Sequence, residues 1–248
     1  MPQVKLKVQL LDVTQNATGL IYAACRQCYS AKFAGDIFED TKDDIVKMEE
    51  FIQKVAESGH ESPLEHVKFT FAICGVSRAL THQLVRHRIA SFSQQSQRYV
   101  KAVDFNYIIP PSIEEDKHLR EKFIRIMQDI QKGYDEFLQS FKKIGASGEK
   151  VNQDARFILP QAAETKIVVS MNCRELLHFF AVRCCNRAQW EIHFLADEML
   201  KLCQDKLPAV FKHSGAKCVK LSYCPESAQF SCRKFPLKEE IIKKKSQV

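Results

Sequence analysis

The sequence predicts an α+β fold, because stretches with strand-like alternation are interleaved with stretches of helical periodicity. Residues 67–76 place an apolar side chain at every second position, as in a strand with one buried face. Residues 45–55 instead carry apolar side chains at helical spacing along a single stripe. At 248 residues and 45% hydrophobic content, the chain is long and apolar enough to enclose a core built from both kinds of element.

The first elements follow in order from these patterns. Residues 5–13 predict a strand, and the small side chains of residues 18–28 predict a helix. Thr41 is a suitable N-cap for the amphipathic helix that comes next, with Asp44 three residues later, and Gly59 is a natural terminator. The alternating strand then follows.

A second capped helix comes directly after that strand. Leu80, Leu84 and Val85 fall at helical spacing behind Ser77, a residue type that commonly caps helices. The basic residues that begin at Arg86 therefore emerge near a helix C-terminus, where positive charge complements the helix dipole.

The second half of the chain is predicted to be mainly helical, with prolines marking helix ends. We expect a short strand at 105–109, helices at 112–144 and 149–158, a strand at 165–171, a long helix at 174–207 and a frayed tail from Lys238 onward. This organisation indicates one domain, large enough to be a catalytic domain, over residues 1–210. A cysteine-containing, charged extension follows over residues 211–248.

The charge balance favours anionic ligands. Lys and Arg number 37 against 30 Asp and Glu, giving a net charge of +7, although part of this excess lies in the tail after Arg233. No apolar run approaches the roughly 20 residues of a membrane span, and no export signal is visible at the N-terminus. We therefore expect a cytoplasmic protein.

Ten cysteines are spread along the chain, and most are expected to be free, buried thiols. The exception to consider is the C-terminal group of Cys218, Cys224 and Cys232, which lies near His213. Their spacing fits no compact zinc knuckle, so an inert or locally disulfide-bonded tail is favoured over zinc, and no metal is predicted.

The densest group of polar side chains is the basic loop, residues 86–98. It contains three arginines, one histidine and six uncharged hydrogen-bonding side chains, with no acid. Such a composition suits an anion such as a phosphate. Two other interpretations stay open: a solvated basic loop on a structural protein, or a single-stranded RNA-binding module in which Phe92 and Tyr99 stack on bases beside Arg86, Arg88 and Arg98.

The basic loop also belongs to a set of four ordered motifs that resembles a known family. Arg86-His87-Arg88, seven residues, Ser96 and then Arg98 resemble the signature of the flavin-dependent thymidylate synthases, the ThyX family. Three further segments resemble that family's motifs: the linker at 60–66, Ala-Arg-x-x-Leu-Pro at 155–160, and the block from Asn-Cys-Arg at 172–174 to Ala-Gln-Trp-Glu-Ile at 188–192. The resemblance spans about residues 5–205.

This resemblance implies a single domain with a mixed or antiparallel sheet, long helices and active sites at subunit interfaces of a homotetramer. It implies FAD as cofactor and the reductive methylation of dUMP to dTMP, with 5,10-methylenetetrahydrofolate as carbon donor and NADPH or NADH as reductant. No cysteine lies in the Pro-Cys-His context of the classical thymidylate synthases, which favours the flavin route.

The same resemblance assigns roles to individual residues. Arg183 would lie at the reacting centre and orient dUMP against the flavin. The other dUMP-binding residues would be Gln83, Arg86, Gln94, Ser96, Gln97, Arg98 and Arg156. The FAD-binding residues would be His60, Arg86, His87, Arg88, Ser93, Gln94, Asn172, Arg174, His178 and Arg187.

Some of these residues have simpler interpretations or depart from the family pattern. His60 can cap a helix or strand end, and Arg156 can serve only a helix dipole. Ser93, Gln94 and Arg187 stand where some relatives carry Asn, an acid and His, which redistributes hydrogen-bond donors and acceptors.

Helical geometry adds one further expectation. On a continuous helix, Arg174 and His178 share one face, whereas Arg183 and Arg187 share the opposite face. One helix would then serve two pockets, an arrangement that suits a symmetric oligomer better than a monomer.

Overall fold

The computed structural model describes residues 3–40 and 44–245. Within these ranges, four strands form one antiparallel sheet in the order β1-β2-β4-β3. The strands are β1 (Lys7–Val13), β2 (Lys68–Ser77), β3 (Ala90–Gln94) and β4 (Glu164–Asn172). The predicted α+β class is confirmed.

Most of the described helices follow the predicted order. They are α1 (Ala17–Gln27), α2 (Ala34–Glu39), α3 (Ile45–Glu57), α4 (Arg78–Leu84), α5 (Pro111–Glu114), α6 (Lys117–Lys143), α7 (Glu149–Ala155), α8 (Cys173–Arg183), α9 (Trp190–Lys206), α10 (Pro208–Phe211), α11 (Lys217–Leu221) and α12 (Lys238–Lys245). Short 3₁₀ turns cover Ser62–His66 and Arg156–Ile158. No helix of the described residues is both long and apolar enough to cross a bilayer.

The central strand β2 confirms the alternation found in the sequence. Val67, just before the strand, and Phe69 and Phe71 within it are fully buried. Gly75 adopts a φ of +67°, and a Cβ atom built there would lie 1.9 Å from the carbonyl oxygen of Lys5. Only glycine satisfies both the backbone angle and this close approach.

The caps of α3 and α4 show how the chain enters these helices. Asp44 caps α3 by accepting a hydrogen bond from the Lys47 amide, while the predicted cap, Thr41, lies outside the described residues. Ser77 caps α4 as predicted, since its Oγ accepts from the Leu80 amide at 3.0 Å.

Two predictions for the middle of the chain are wrong. Residues 105–109 do not form a strand, because Tyr107 makes only isolated bridges to Gln3 and Ala163. The helix predicted from 112 to 144 is interrupted: α5 ends at Glu114, and α6 begins only after Asp116, whose carboxylate accepts from the Leu119 amide and starts a new helix.

The long helix predicted over 174–207 is also wrong. It divides into α8 and α9, because the Gln189 side-chain oxygen caps the second helix by accepting from the backbone amides of Glu191 and Ile192. Arg187 consequently lies in the connecting loop and shares no helical face with Arg183. The frayed tail expected from Lys238 is replaced up to residue 245 by α12.

The described chain groups into two compact units. The first comprises the N-terminal residues up to Gln9, Ala72–Arg86 and Phe92–Val169, and its core includes Phe105 and Met127. The second comprises the described residues of 10–71, His87–Ser91 and the described residues from Ser170 onward. Its core is aromatic: Phe211 packs edge-on against Phe69 and Phe180, with ring centroids 5.6 and 5.9 Å apart.

Candidate active site

The first unit holds most of the residues that the resemblance assigns to dUMP. Gln94 ends β3, and its Nε2 donates to the hydroxyls of Thr81 at 3.0 Å and Thr165 at 3.2 Å, both buried. These bonds fix the amide and leave its Oε1 as an acceptor.

The turn after β3 is held by its own side chains. The Ser96 hydroxyl accepts from the Arg98 amide at 3.2 Å, and the Asn152 side chain donates to the Arg98 carbonyl at 2.9 Å. The Arg98 guanidinium forms an ion pair with Glu149 and lies 5.7 Å from the centroid of the Tyr99 ring. Gln97 follows Ser96 in this turn and is half-buried. Ser96 therefore shapes the turn, and the Arg98 charge is partly balanced by Glu149.

Two other arginines in this unit lie near each other. Arg156 and Arg78 are both half-buried, and burial together with the positive charge of Arg156 lowers the pKa of Arg78. Neither guanidinium forms an ion pair within the described ranges. Two like charges in a partly desolvated place favour a bound anion. Arg86, exposed just beyond α4, and Gln83, on its last turn, belong to the same unit.

The second unit contains a buried chain of three polar side chains. His87 Nδ1 lies 3.1 Å from a Glu175 carboxylate oxygen, and Arg183 Nε donates to His87 Nε2 at 3.1 Å. The His87 and Glu175 side chains are only 6% and 7% exposed. Glu175 and Arg183 lie at opposite ends of α8, so this helix carries both partners of the histidine.

The protonation of His87 follows from these contacts. A guanidinium can only donate, so Nε2 must accept, and the ring proton must lie on Nδ1 facing the carboxylate. Burial is the main cause that lowers the pKa of His87, and the positive charge of Arg183 acts in the same direction. Glu175 opposes both effects. A neutral imidazole thus holds the Arg183 side chain in place.

A large cavity of about 910 Å³ opens in the same unit. One wall comes from the start of α8 and carries Asn172, Arg174 and His178, three of the residues assigned to FAD. The other wall comes from the C-terminal segment and carries lysines, of which Lys212 and Lys217 are two. The volume lies near the upper end of the roughly 300–1,000 Å³ range of small-molecule sites, so it suits a dinucleotide.

The residues at the start of α8 have structural roles as well. Asn172 caps the helix by accepting from the Glu175 amide at 2.8 Å. Arg174 forms ion pairs with Glu65 and, at 3.8 Å, with Glu61. His178 is exposed and its ring centroid lies 5.9 Å from that of His87. The Arg174 charge is therefore already balanced by carboxylates.

A small cavity of about 210 Å³ lies toward the other end of α8. Arg183 and Arg187 line it together with Cys185, Cys218 and Cys224. The expectation of two pockets served by one helix is met by α8 itself, with Arg174 and His178 on one cavity and Arg183 on the other. Arg187 joins the second cavity from the loop instead, where it pairs with Glu226 and stacks 4.5 Å from the Phe230 ring centroid.

Three cysteines of this unit lie in surroundings that disfavour a thiolate. All ten cysteines of the chain are free. Burial raises the pKa of the Cys173, Cys184 and Cys203 thiols well above the usual value. Across the described residues, no three His, Cys, Asp or Glu side chains are arranged to hold a metal ion.

Six residues assigned to FAD line neither cavity: Arg86 and Gln94, described above with the first unit, and His60, His87, Arg88 and Ser93. His60 follows α3, and its Nδ1 lies 3.2 Å from the Tyr29 hydroxyl. Arg88 and Ser93 are exposed on the basic loop. His87 is engaged through both ring nitrogens, as described above.

Sequence reasoning missed several residues that the structure places in these sites. Glu175 was not singled out, although a buried acid one residue after the Asn-Cys-Arg motif can signal a partner for a nearby cation. Arg78 and the lysines of the large cavity were also missed. Nothing in the local pattern distinguishes those lysines from other charged residues of the extension.

Comparisons with known proteins identify the family of this chain. Residues 9–209 match the family described as thymidylate synthase complementing protein. A flavin-dependent thymidylate synthase of Nitratidesulfovibrio vulgaris is 51% identical over 244 residues, covering 97% of this chain and 100% of the relative. A protein of the same name from Clostridium tetani is 47% identical, covering 92% of this chain and 94% of the relative. Another, from Geobacter sulfurreducens, is 44% identical, covering 89% of this chain and 91% of the relative. The chain therefore belongs to the family of flavin-dependent thymidylate synthases.

Proposed function

We propose that this protein uses FAD to convert dUMP to dTMP, with 5,10-methylenetetrahydrofolate as carbon donor and NADPH as reductant. The observation that carries the proposal is the buried Glu175–His87–Arg183 chain. It fixes the arginine that the family motif assigns to the reacting centre. This arginine lines the small cavity, and the helix that carries it, α8, also lines the large cavity, whose size suits a dinucleotide.

Methylation at C5 of uracil requires the ring to accept negative charge as the new carbon bond forms. The Arg183 guanidinium can only donate, and His87 holds it through its Nε; it is proposed to donate to a uracil carbonyl oxygen, where that charge develops. Because His87 already fixes Arg183, little reorganisation accompanies the reaction. The flavin, when bound and reduced, supplies the hydride that completes the methyl group.

The first unit supplies the groups proposed to hold dUMP. The closely placed, unpaired guanidiniums of Arg156 and Arg78, with exposed Arg86, would balance the phosphate. The fixed Gln94 amide presents its Oε1 as an acceptor for the N3–H of the base. Gln83, Ser96, Gln97 and Arg98 are proposed as the remaining contacts.

The second unit supplies the groups proposed to hold FAD. The large cavity combines an apolar floor with cations and a free Asn172 amide nitrogen, a donor set that fits a diphosphate and a ring system together. Arg174 and His178 are proposed to contact the flavin dinucleotide, and His60, His87, Arg88 and Arg187 of the same unit stay proposed contacts. Arg86, Ser93 and Gln94 are proposed FAD contacts from the first unit.

A homotetramer is the proposed assembly, with active sites completed between subunits. Support comes from α8, which presents charged side chains to two cavities. The free thiols and the nucleotide substrates accord with a cytoplasmic location. The RNA-binding alternative is not carried further, because the full-length similarity is to enzymes.

The deciding experiment is spectroscopic. The purified protein is expected to show a flavin spectrum that NADPH bleaches and dUMP perturbs, and to form dTMP when methylenetetrahydrofolate is added. Arg183→Ala is expected to retain flavin and lose dTMP formation. Colourless protein that binds neither FAD nor dUMP in calorimetry would refute the proposal.

A further inference from the structure

The large cavity has one wall that the family motifs do not include. This wall is the C-terminal segment, residues 211–221, which follows the end of the motif region. We infer that Lys212 and Lys217 of this segment bind the diphosphate group of a dinucleotide, an inference that rests on the proposed function. Both the flavin dinucleotide and the nicotinamide dinucleotide contain this diphosphate group.

The charges around the cavity point to these two lysines. Glu61 is shared by Arg174 and, at 3.7 Å, by Lys220. Glu65 pairs with Arg174, and Glu175 pairs with His87. The cations at the start of α8 and at Lys220 are thus balanced by carboxylates of the protein itself.

Lys212 and Lys217 differ from the other cations of the lining. Neither forms an ion pair or side-chain hydrogen bond within the residues that the structure describes. The remaining acid of the lining, Glu57, accepts a hydrogen bond from the Gln53 side chain at 3.2 Å. Two uncompensated ammonium groups against one such carboxylate leave this wall attractive to a group with two negative charges.

The segment is anchored, so the lysines do not lie on a loose tail. Lys212 directly follows Phe211, which is fully buried against Phe69 and Phe180. The Phe211 carbonyl also accepts from the Gln204 side chain at 3.3 Å. At the other end, the Lys220–Glu61 pair ties the segment to the residues that follow α3. A held backbone lowers the entropy lost when the lysines engage a ligand.

The rest of the lining fits a dinucleotide better than a simple anion. Ile89, Leu177, Ala181 and Val210 give the cavity an apolar surface on which a ring system can pack. Lys217 lines both the large cavity and the small cavity that contains Arg183. A ligand that extends from the large cavity toward Arg183 would therefore pass Lys217. A dinucleotide, in which a diphosphate joins two ring systems, matches this spatial order of apolar surface, cations and reacting centre.

The test uses the full chain freed of flavin and the double variant Lys212→Gln/Lys217→Gln. Titration with FAD, followed by flavin fluorescence, is expected to give a dissociation constant raised roughly ten- to hundredfold. FMN, which has no diphosphate, is expected to bind the variant and the unchanged protein alike to within about threefold. Lys206→Gln, an exposed lysine outside both cavities, is the matched control and is expected to leave both constants unchanged.

A second titration separates the two sources of diphosphate. If FAD affinity is unchanged and the dissociation constant of NADP⁺ rises tenfold or more, the lysines serve the nicotinamide dinucleotide. Unchanged affinity for both dinucleotides would overturn the inference while leaving the proposed function intact. Failure of the unchanged protein to bind any flavin would instead refute the proposed function.

Discussion

Replacing Glu175 with Gln tests whether the buried acid acts through His87 and Arg183. The substitution keeps the size of the side chain but removes the charge that faces His87 Nδ1 at 3.1 Å. A hydrogen bond to a charged partner contributes about 1.5–3 kcal/mol and a neutral one about 0.5–1.5 kcal/mol, so the expected loss is roughly 1–1.5 kcal/mol. That loss corresponds to an increase of about five- to tenfold in the dissociation constant of dUMP.

The assay is the change in flavin absorbance on titration with dUMP, which needs no turnover. Glu198→Gln, at an exposed carboxylate paired with Lys201, is the matched control and is expected to bind dUMP normally. The free energy of unfolding should fall by about 1 kcal/mol for Glu175→Gln and by less for the control.

A double-variant cycle distinguishes positioning from general destabilisation. Arg183→Ala alone is expected to weaken dUMP binding, and adding Glu175→Gln to it should have no further effect, because the acid acts only through the arginine. If the two substitutions instead weaken binding independently and additively, the reasoning about the Glu175–His87–Arg183 chain is refuted.

Four further predictions address other parts of the molecule. Arg86→Ala should raise the dUMP concentration needed for half-maximal rate by one to two decades, from roughly 1.5–3 kcal/mol of lost charge-assisted bonding; an unchanged value would remove Arg86 from the site. Because the pKa of His87 is lowered in the folded state, its contribution to the free energy of unfolding should be complete above pH 6.5 and be lost as the pH falls below that value. Urea titrations at several pH values should show this loss in the unchanged protein and not in His87→Gln. Gly75→Ala should reduce the free energy of unfolding by roughly 2 kcal/mol or more, measured by chemical denaturation, because a Cβ meets the Lys5 carbonyl. Ser77→Ala should cost about 1 kcal/mol in the same measurement, and a cost near zero would show that the α4 cap is dispensable.

The parts of the fold that were predictable are those where one local pattern decides the structure. β2 could be recognised because its alternating side chains are buried on one face, and α4 because Ser77 caps it. The grouping of Arg174 with His178 could also be anticipated, since both lie one turn apart on a helix.

The parts that were not predictable depend on competition between local signals or on distant contacts. The division between α8 and α9 arises from a Gln189 cap in a stretch without glycine or proline, and glutamine is an uncommon cap. The break before α6 likewise depends on which of several polar residues caps the N-terminus of the helix, and Asp116 is the one that does so. The burial of His87 against Glu175 joins residues 88 positions apart, which no local pattern reveals.

The division between α8 and α9 has a consequence for how this region can vary in length. Each residue along a helix turns the next by about 100°, so one residue inserted between Arg174 and Arg183 would swing the second guanidinium away from His87. The connection at 184–189 carries no such rotational constraint, because Gln189 starts α9 afresh. Homologous chains should therefore tolerate insertions and deletions between the two helices while keeping the spacing within α8 invariant.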